Sequence, residues 1–180
     1  MTERIIIAGA GGQGIMLLGK VLALAAMKAD KYVTWLPSYG AEVRGGTAHC
    51  LLVISDKPIG SPCFDKSDSL IIMNGPSLEK FKSRIKNKGL LIINSSLAHS
   101  GGDKNVRILQ HPFTDIAIRL GNIKVANMVA LGCYLSQSKL IKPQDVIEAM
   151  QELAPEGKKD LIEINQQALM SGVKLKDDKS

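Results

Sequence analysis

The first residues whose types and spacing could do chemistry form a glycine-rich segment near the amino terminus. Gly9, Gly11 and Gly14 match the pattern G-x-G-x-x-G, with Gly12 and Gln13 between them. The segment follows a β-branched run and precedes an apolar stretch with helical spacing, which predicts a strand, a glycine turn and a helix. Glycines in that position let the backbone approach a phosphate at the positive end of the helix. We therefore assign these five residues to cofactor binding.

Three interpretations of this segment remain open. A dinucleotide site also needs an acidic residue about 20 positions further on, at the end of the second strand, to bind the ribose hydroxyls. Here the second predicted strand ends at residues 35–38, which carry no carboxylate. The segment could instead be a structural turn, in which glycines permit close packing and Gln13 caps free backbone donors. It could also bind another anionic group or a partner chain.

The second cluster is the segment 38–47, in which glycines surround an aromatic ring, a carboxylate and a guanidinium. In extended geometry Glu42 and Arg44 project to the same side, so a local ion pair is one interpretation. Alternatively, the donor fork of Arg44 binds a carboxylate or phosphate outside this chain. A turn alone does not require all three groups, and we assign an outward-facing role to Tyr39, Glu42, Arg44, Gly45 and Gly46.

The sequence predicts no catalytic residue and no metal site on this chain. The three cysteines are scattered and form no C-x-x-C pair, which excludes a disulfide framework and an iron–sulfur or zinc ligand set. The histidines share no metal-binding spacing. We expect Cys50 to be a small buried apolar residue and Cys63 to be exposed. The other residues considered are Cys133, His49, His99 and His111.

The length and composition of the chain restrict the classes of protein to which it can belong. The chain has 180 residues, of which 45% are hydrophobic and 22% charged, so it is long enough for one α/β domain over residues 1–173, followed by a polar tail over 174–180. The most apolar stretch, residues 15–27, is shorter than the ~20 residues that a membrane span requires. No secretion signal is visible at the amino terminus, and we expect no membrane insertion and a cytoplasmic location.

The net charge of +6 raises the question of nucleic acid binding. Much of the local excess alternates by two along a predicted helix, and such residues point to more than one face and form a solvated surface. Aromatic residues make up only 4% of the chain, which leaves few stacking platforms for bases. We therefore expect no nucleic acid partner. The basic residues in question are Lys80, Lys82, Arg84, Lys86 and Lys88.

Apolar runs without alternation, separated by helical patterns, predict a three-layer αβα sandwich with a mostly parallel sheet. A Rossmann-like glycine turn follows the first strand, and the last third of the chain, after Pro112, has helical spacing throughout. The short connection over residues 37–46 could make one pair of strands antiparallel. The predicted strands cover residues 4–8, 32–36, 47–54, 69–73, 89–94 and 106–109.

Several of these segments together resemble the gamma subunit of 2-oxoacid:ferredoxin oxidoreductases over nearly the whole chain. The resemblance is carried by GAGGQG at residues 9–14, SYGAEVRGG at 38–46, ISDKPI at 54–59, Asp68, VANMVALG at 125–132 and NQQALMSG at 165–172. Pyruvate-type subunits usually carry Phe-Gly and indolepyruvate-type subunits His-Gly where this chain has Tyr39-Gly40. The sequence is therefore most similar to the 2-oxoglutarate branch.

The resemblance implies an accessory subunit of an enzyme that oxidatively decarboxylates a 2-oxoacid, transfers the acyl group to coenzyme A and reduces ferredoxin or a similar acceptor. It implies alpha and beta subunits that hold thiamine diphosphate and magnesium, and a ferredoxin-like subunit with iron–sulfur clusters. This chain has neither a cluster of cysteines nor a G-D-G motif for thiamine diphosphate. We expect it to be inactive alone, with the segment 38–46 and Asn127 facing a partner or coenzyme A. The alternatives are a stand-alone nucleotide-binding module and the equivalent subunit of a pyruvate or indolepyruvate enzyme.

Overall fold

A computed structural model describes residues 1–38, 47–154 and 159–175 of the chain. The strands are β1 (Thr2–Ala10), β2 (Tyr32–Ser38), β3 (Thr47–Ser55), β4 (Ser67–Ile72), β5 (Ile85–Asn94) and β6 (Arg107–His111). The helices are α1 (Ile15–Lys28), α2 (Gly75–Phe81), α3 (Phe113–Arg119), α4 (Ala126–Gln137), α5 (Pro143–Leu153) and α6 (Lys159–Val173).

The described strands form one mixed sheet in the order β2-β3-β1-β4-β5-β6. The strand β3 is antiparallel to both of its neighbours, whereas β1, β4, β5 and β6 pair in parallel. The other five strands therefore run in one direction, and the prediction of a mostly parallel sheet is confirmed. Two pairs are antiparallel instead of the one expected, because β3 turns back and inserts between β2 and β1.

Helices cover both faces of the sheet, and the predicted three layers are confirmed. Ile5 and Ile7 of β1 pack on one face with α1 and α3–α6. Ile6 and Ala8 pack on the opposite face with Leu78 of α2. All four β1 side chains are fully buried. An apolar run without alternation is stable only in a strand that is covered on both sides, as β1 is.

The basic stretch that begins at Lys80 does not form the single helix that we predicted. Helix α2 ends at Phe81, a short 3₁₀ turn covers Lys82–Arg84, and β5 begins at Ile85. The guanidinium of Arg84 donates hydrogen bonds to the backbone carbonyls of Phe64 and Asp65. Because these tertiary hydrogen bonds and the pairing of β5 outweigh a local helical preference, the helix stops about two turns earlier than expected.

Two glycines let α4 and α6 approach within backbone contact. A Cβ atom built on Gly132 would overlap the carbonyl oxygen of Leu169 and lie 2.9 Å from the Cα atom of Gly172. A Cβ atom on Gly172 would overlap the carbonyl oxygen of Val129. The crossing joins the segments 125–132 and 165–172, which are both part of the family resemblance. Their glycines are therefore explained by helix packing.

We predict that Gly132→Ala destabilises the chain, because the added methyl group has to push two backbones apart. The expected loss is about 1–3 kcal/mol in the free energy of unfolding, the usual cost of overpacking a core. Urea denaturation followed by circular dichroism measures it. Gly102→Ala is the matched control, since a Cβ atom there meets nothing within 4 Å. Equal stability of the two variants would contradict the close crossing.

Candidate functional site

A small cleft opens at the carboxyl edge of the sheet, where β1 and β4 lie side by side. Helix α1 leaves β1 on one face of the sheet and α2 leaves β4 on the other. Such a reversal creates a crevice outside the strand ends, the usual ligand position in open α/β sheets. The cleft has a volume of about 160 Å³ and is lined by Gly12, Gln13, Met73, Leu97, Thr114, Ile123, Lys124 and Ala126.

Gln13 closes the turn between β1 and α1. Its side-chain oxygen accepts a hydrogen bond from the backbone NH of Ala10 at 2.7 Å, and its amide nitrogen donates to the carbonyl of Met73 at 3.3 Å. Gly9 lies beneath it, where a Cβ atom would stand 2.6 Å from Ile15 Cδ1 and 2.9 Å from Met73 Cβ. Gln13 and Gly9 therefore have structural roles, which agrees with the interpretation of this segment as a structural turn.

Asn127 holds the other end of the turn, at Gly14. Gly14 adopts a left-handed conformation (φ 71°), and a Cβ atom there would overlap the side-chain amide of Asn127. The Nδ2 atom of Asn127 donates to the carbonyl of Gly14 at 3.1 Å, and its side chain is only 2% exposed. Asn127 therefore does not lie on the outward-facing surface to which we assigned it. It is buried in α4 because it fills the space that the missing side chain of Gly14 leaves.

The remaining part of the turn is open to solvent. Gly11 and Gly12 are exposed, and Gly12, with φ 87°, has nothing within 4 Å of its Cβ position. No side chain in the described ranges caps the amino terminus of α1, and its first turn carries no acidic residue. The exposed cation of Lys124 lines the same cleft. Free backbone amides at the end of a 14-residue helix, with a cation nearby, favour an anionic group.

Two residues that line the cleft, Met73 and Thr114, are held by Asn94, which the sequence analysis missed. Asn94, at the end of β5, is buried and donates to the Thr114 hydroxyl at 2.8 Å and to the Met73 carbonyl at 3.3 Å. The Met73 carbonyl thus accepts from both Asn94 and Gln13. The signal in the sequence that could have indicated Asn94 was a polar residue at the end of a buried strand. The carboxyl ends of parallel strands meet at one edge of a sheet, where ligands usually bind.

Five predicted site residues lie outside the described part of the chain: Tyr39, Glu42, Arg44, Gly45 and Gly46. The described residues on either side of them locate the ends of this segment. Thr47 is paired with Ala10, immediately before the glycine turn, and Ser38 is paired with His49 in the neighbouring ladder. Both ends of the segment therefore join the sheet at the edge that carries the cleft.

The strand order disfavours a dinucleotide at this turn. In dinucleotide-binding folds, the second strand lies next to the first and its terminal acidic residue binds the ribose. Here β3 separates β2 from β1. The cleft of about 160 Å³ bounded by the described residues is also smaller than the ~300 Å³ lower end of ligand pockets. A phosphate-sized group fits this geometry better than a whole dinucleotide.

The thiols differ in burial, as the sequence predicts. Cys50 and Cys133 are buried and Cys63 is exposed. Burial raises the pKa of Cys50 to about 12, which leaves its thiol protonated and inert at neutral pH. Within the described residues, no three His, Cys, Asp or Glu side chains come together as metal ligands, and no helix is long and apolar enough to cross a membrane.

Comparison with known proteins supplies the family. The sequence matches the family described as pyruvate ferredoxin/flavodoxin oxidoreductase over residues 4–175. It is 34% identical over 169 residues to the ketoisovalerate oxidoreductase subunit VorA of Methanothermobacter thermautotrophicus, covering 94% of this chain and 35% of that protein. This chain thus spans about a third of the length of that relative.

Two other proteins match along most of both chains. The 2-oxoglutarate synthase subunit KorC of Methanocaldococcus jannaschii is 33% identical over 161 residues, covering 87% of this chain and 86% of that protein. The structure of the gamma subunit of a keto/oxoacid ferredoxin oxidoreductase from Geobacter sulfurreducens superposes with a TM-score of 0.81 at 28% identity. That match covers 94% of this chain and 95% of the other. These matches confirm the resemblance drawn from the sequence, and the chain belongs to the pyruvate ferredoxin/flavodoxin oxidoreductase family.

Proposed function

We propose that this chain is the gamma subunit of a 2-oxoglutarate:ferredoxin oxidoreductase. Such an enzyme oxidatively decarboxylates 2-oxoglutarate, releases carbon dioxide, transfers the acyl group to coenzyme A and passes the electrons to ferredoxin. The observation that carries the proposal is the match with KorC along nearly the full length of both chains. The match with VorA covers only 35% of that protein, so it supports the domain and not the ketoisovalerate substrate. Tyr39-Gly40, at the position that separates the branches, supports the same substrate.

The iron–sulfur clusters of such an enzyme do not fit the cysteines of this chain. A cluster needs about four thiolates within reach of one another. This chain has three cysteines, of which Cys50 and Cys133 are buried, and the pKa of Cys50 is raised to about 12. In this proposal, the iron–sulfur clusters belong to a ferredoxin-like partner subunit. Thiamine diphosphate and magnesium belong to alpha and beta subunits, as the family resemblance implies.

In this proposal, the cleft and the adjoining segment hold the acyl acceptor or a partner chain. Gly11, Gly12 and the free amides at the start of α1 offer hydrogen-bond donors to one phosphate, and Lys124 supplies a positive charge. Ser38 and Thr47, the described residues that flank positions 39–46, both lie at the edge of the sheet that carries the cleft, which supports a role for Arg44 in this proposal. Gln13 and Asn127 act by holding the turn in place.

A second candidate, a stand-alone nucleotide-binding module, rests on the glycine pattern alone. A pyruvate or indolepyruvate enzyme would use the same subunit design, and a pyruvate synthase subunit PorC of Methanothermobacter thermautotrophicus is 27% identical over 150 residues. Measuring the preferred 2-oxoacid distinguishes the 2-oxoglutarate, pyruvate and indolepyruvate enzymes. Measuring the binding of free dinucleotide distinguishes a stand-alone nucleotide-binding module from a gamma subunit.

We expect the complex purified from the native cell, or reconstituted with its partners, to reduce a viologen dye with 2-oxoglutarate and coenzyme A. Turnover with pyruvate or 2-oxoisovalerate should be at least tenfold slower, because the substrate pocket of an enzyme discriminates between side chains of different size and charge. The chain alone should be colourless and inactive, since its cysteines cannot supply a cluster. A complex that prefers pyruvate would refute the substrate, and a brown, active single chain would refute the subunit.

We predict that Arg44→Ala leaves the isolated chain folded but weakens either subunit assembly or coenzyme A binding in the complex. Loss of a bidentate contact to a charged group costs about 1.5–3 kcal/mol, roughly ten- to a hundredfold in affinity. Subunit retention on a sizing column and the apparent KM for coenzyme A measure the effect. Lys57→Ala, an exposed lysine, is the control. Unfolding by Arg44→Ala alone would assign a structural role to the arginine.

We also predict that the isolated chain binds NAD(H) weakly or not at all. The ribose-binding carboxylate is absent and β3 occupies the place next to β1, so a phosphate site alone cannot select the dinucleotide. Isothermal titration calorimetry at millimolar ligand tests this. A dissociation constant near one micromolar, equivalent to about 8 kcal/mol, would contradict the prediction and favour the stand-alone module.

A further inference from the structure

One face of the sheet is only partly covered by helices. Ile6 and Ala8 of β1 lie on this face together with α2, which packs against β1 and β4. Within the described ranges, the core cluster on this face includes no residue of β2. Strands of a mostly parallel sheet are usually buried on both faces. The fold therefore leaves the β2 side of this face open.

The open surface carries large apolar side chains. Because side chains alternate along a strand, Tyr32, Thr34 and Leu36 lie on one face of β2. Trp35 lies on the other face, against Gly19 of α1. Tyr32 is 52% exposed and Leu36 is 39% exposed. Large apolar groups that share an exposed surface favour contact with another protein.

A cavity of about 210 Å³ adjoins this surface beside the first residues of β1. Arg4 of β1 is paired with Val53 of β3, and Val53 is paired with Thr34 of β2. Paired residues of neighbouring strands place their side chains on the same face. Arg4 and Val53 line the cavity, so its wall continues directly into the open surface of β2.

The segment ISDKPI at residues 54–59 forms another wall of this cavity. It is a part of the family resemblance that the glycine turn does not involve. Ser55, Pro58 and Ile59 line the cavity, and Ser55 Oγ lies within hydrogen-bond distance of Thr2 Oγ1, at 2.8 Å. This segment therefore has a structural role in shaping the cavity around Arg4.

The guanidinium of Arg4 has no acidic partner among the described residues. Its backbone NH donates to one oxygen of Asp68, and the other oxygen of that carboxylate pairs with Lys86 Nζ. Asp56, which follows β3, pairs with the amino terminus and with Lys31. Arg4 is half-buried, so its charge is partly removed from water without an ion pair. An acidic group from outside the chain would supply that pair.

We propose that this surface docks an alpha or beta subunit, which places a carboxylate against Arg4 in the cavity and an apolar side chain over Tyr32 and Leu36. Tyrosine and arginine are among the residue types most enriched at interface centres. The cavity is smaller than the ~300 Å³ lower end of small-molecule sites, which favours one side chain over a free ligand. The net charge of +6 favours an acidic partner over a second copy of this chain. This inference rests on the proposed function, which supplies the partner subunits.

Thiol labelling measures whether the cavity is covered in the complex. Cys63 lines the cavity and is exposed, whereas Cys50 and Cys133 are buried. The chain is treated with N-ethylmaleimide alone and in the complex with alpha and beta subunits, and peptide mass spectrometry follows Cys63. We expect labelling to be about tenfold slower in the complex, because interface contacts exclude solvent. An unchanged rate in an assembled complex would overturn the docking surface. Failure of the unmodified chain to assemble would refute the proposed function, and this inference with it.

Arg4→Met tests the charge, because it removes the guanidinium and keeps a long side chain. It should weaken retention in the complex about tenfold without lowering the Tm of the isolated chain, whereas Arg4→Lys should retain part of the affinity. Arg119→Met is the matched control, since Arg119 is exposed on α3, which packs on the opposite face of the sheet. Equal retention of Arg4→Met and Arg119→Met would overturn the role of Arg4.

Leu36→Ser tests the apolar part of the surface. It should weaken retention in the complex, whereas Met170→Ser on α6, where the side chain is 38% exposed, should not. Equal retention of these two variants would contradict the apolar contact. Sedimentation velocity of the isolated chain tests the alternative occupant, and we expect a monomer. A dimer that Arg4→Met dissociates would show that a second copy covers this surface, and would overturn the assignment to a partner subunit.

Discussion

The structure depends on one steric constraint, the narrow passage of the backbone from β1 into α1. Gly9 passes against the side chain of Met73 and Gly14 passes against that of Asn127, and at neither position is there room for a Cβ atom. The passage fixes the start of α1 between the end of β4 and the start of α4. Hydrogen bonds then close it, with Gln13 on one side and the amide of Asn127 on the other.

The same constraint separates two roles within one glycine motif. Gly9 and Gly14 are required because neighbouring atoms occupy the space of a side chain, whereas Gly11 and Gly12 are exposed at the cleft. A backbone without side chains at those two positions can approach a ligand closely. Gly9 and Gly14 are therefore the structural part of the motif, and Gly11 and Gly12 are the part that a ligand can reach. Substitutions that test function have to be made at Gly11 or Gly12.

The two edges of the sheet present different chemical groups, because five of the six described strands run in the same direction. At the carboxyl edge, the turn residues and the amino terminus of α1 present backbone donors to a shallow cleft. At the amino edge, a larger cavity is lined by side chains, among them the buried Tyr134, the half-buried Glu3 and exposed cations. Each site has an exposed lysine in its lining, Lys124 at one edge and Lys139 at the other.

The sequence by itself determined the local structure and the class of fold. The apolar, β-branched runs predicted buried strands, and the glycine pattern after the first of them predicted the turn into α1, because both depend on neighbouring residues. The helical spacing after Pro112 likewise predicted α3–α6. The three scattered cysteines predicted that this sequence carries no ligand set for an iron–sulfur cluster.

Only the tertiary structure decided which distant residues meet. The insertion of β3 between β1 and β2, the position of Asn127 under Gly14 and the crossing of Gly132 with Gly172 all join segments far apart in sequence. The early end of α2 also follows from tertiary hydrogen bonds of Arg84. Strand pairing and helix packing depend on long-range contacts that local periodicity does not encode, so the cavity between Glu3 and Tyr134 has no signature in the sequence.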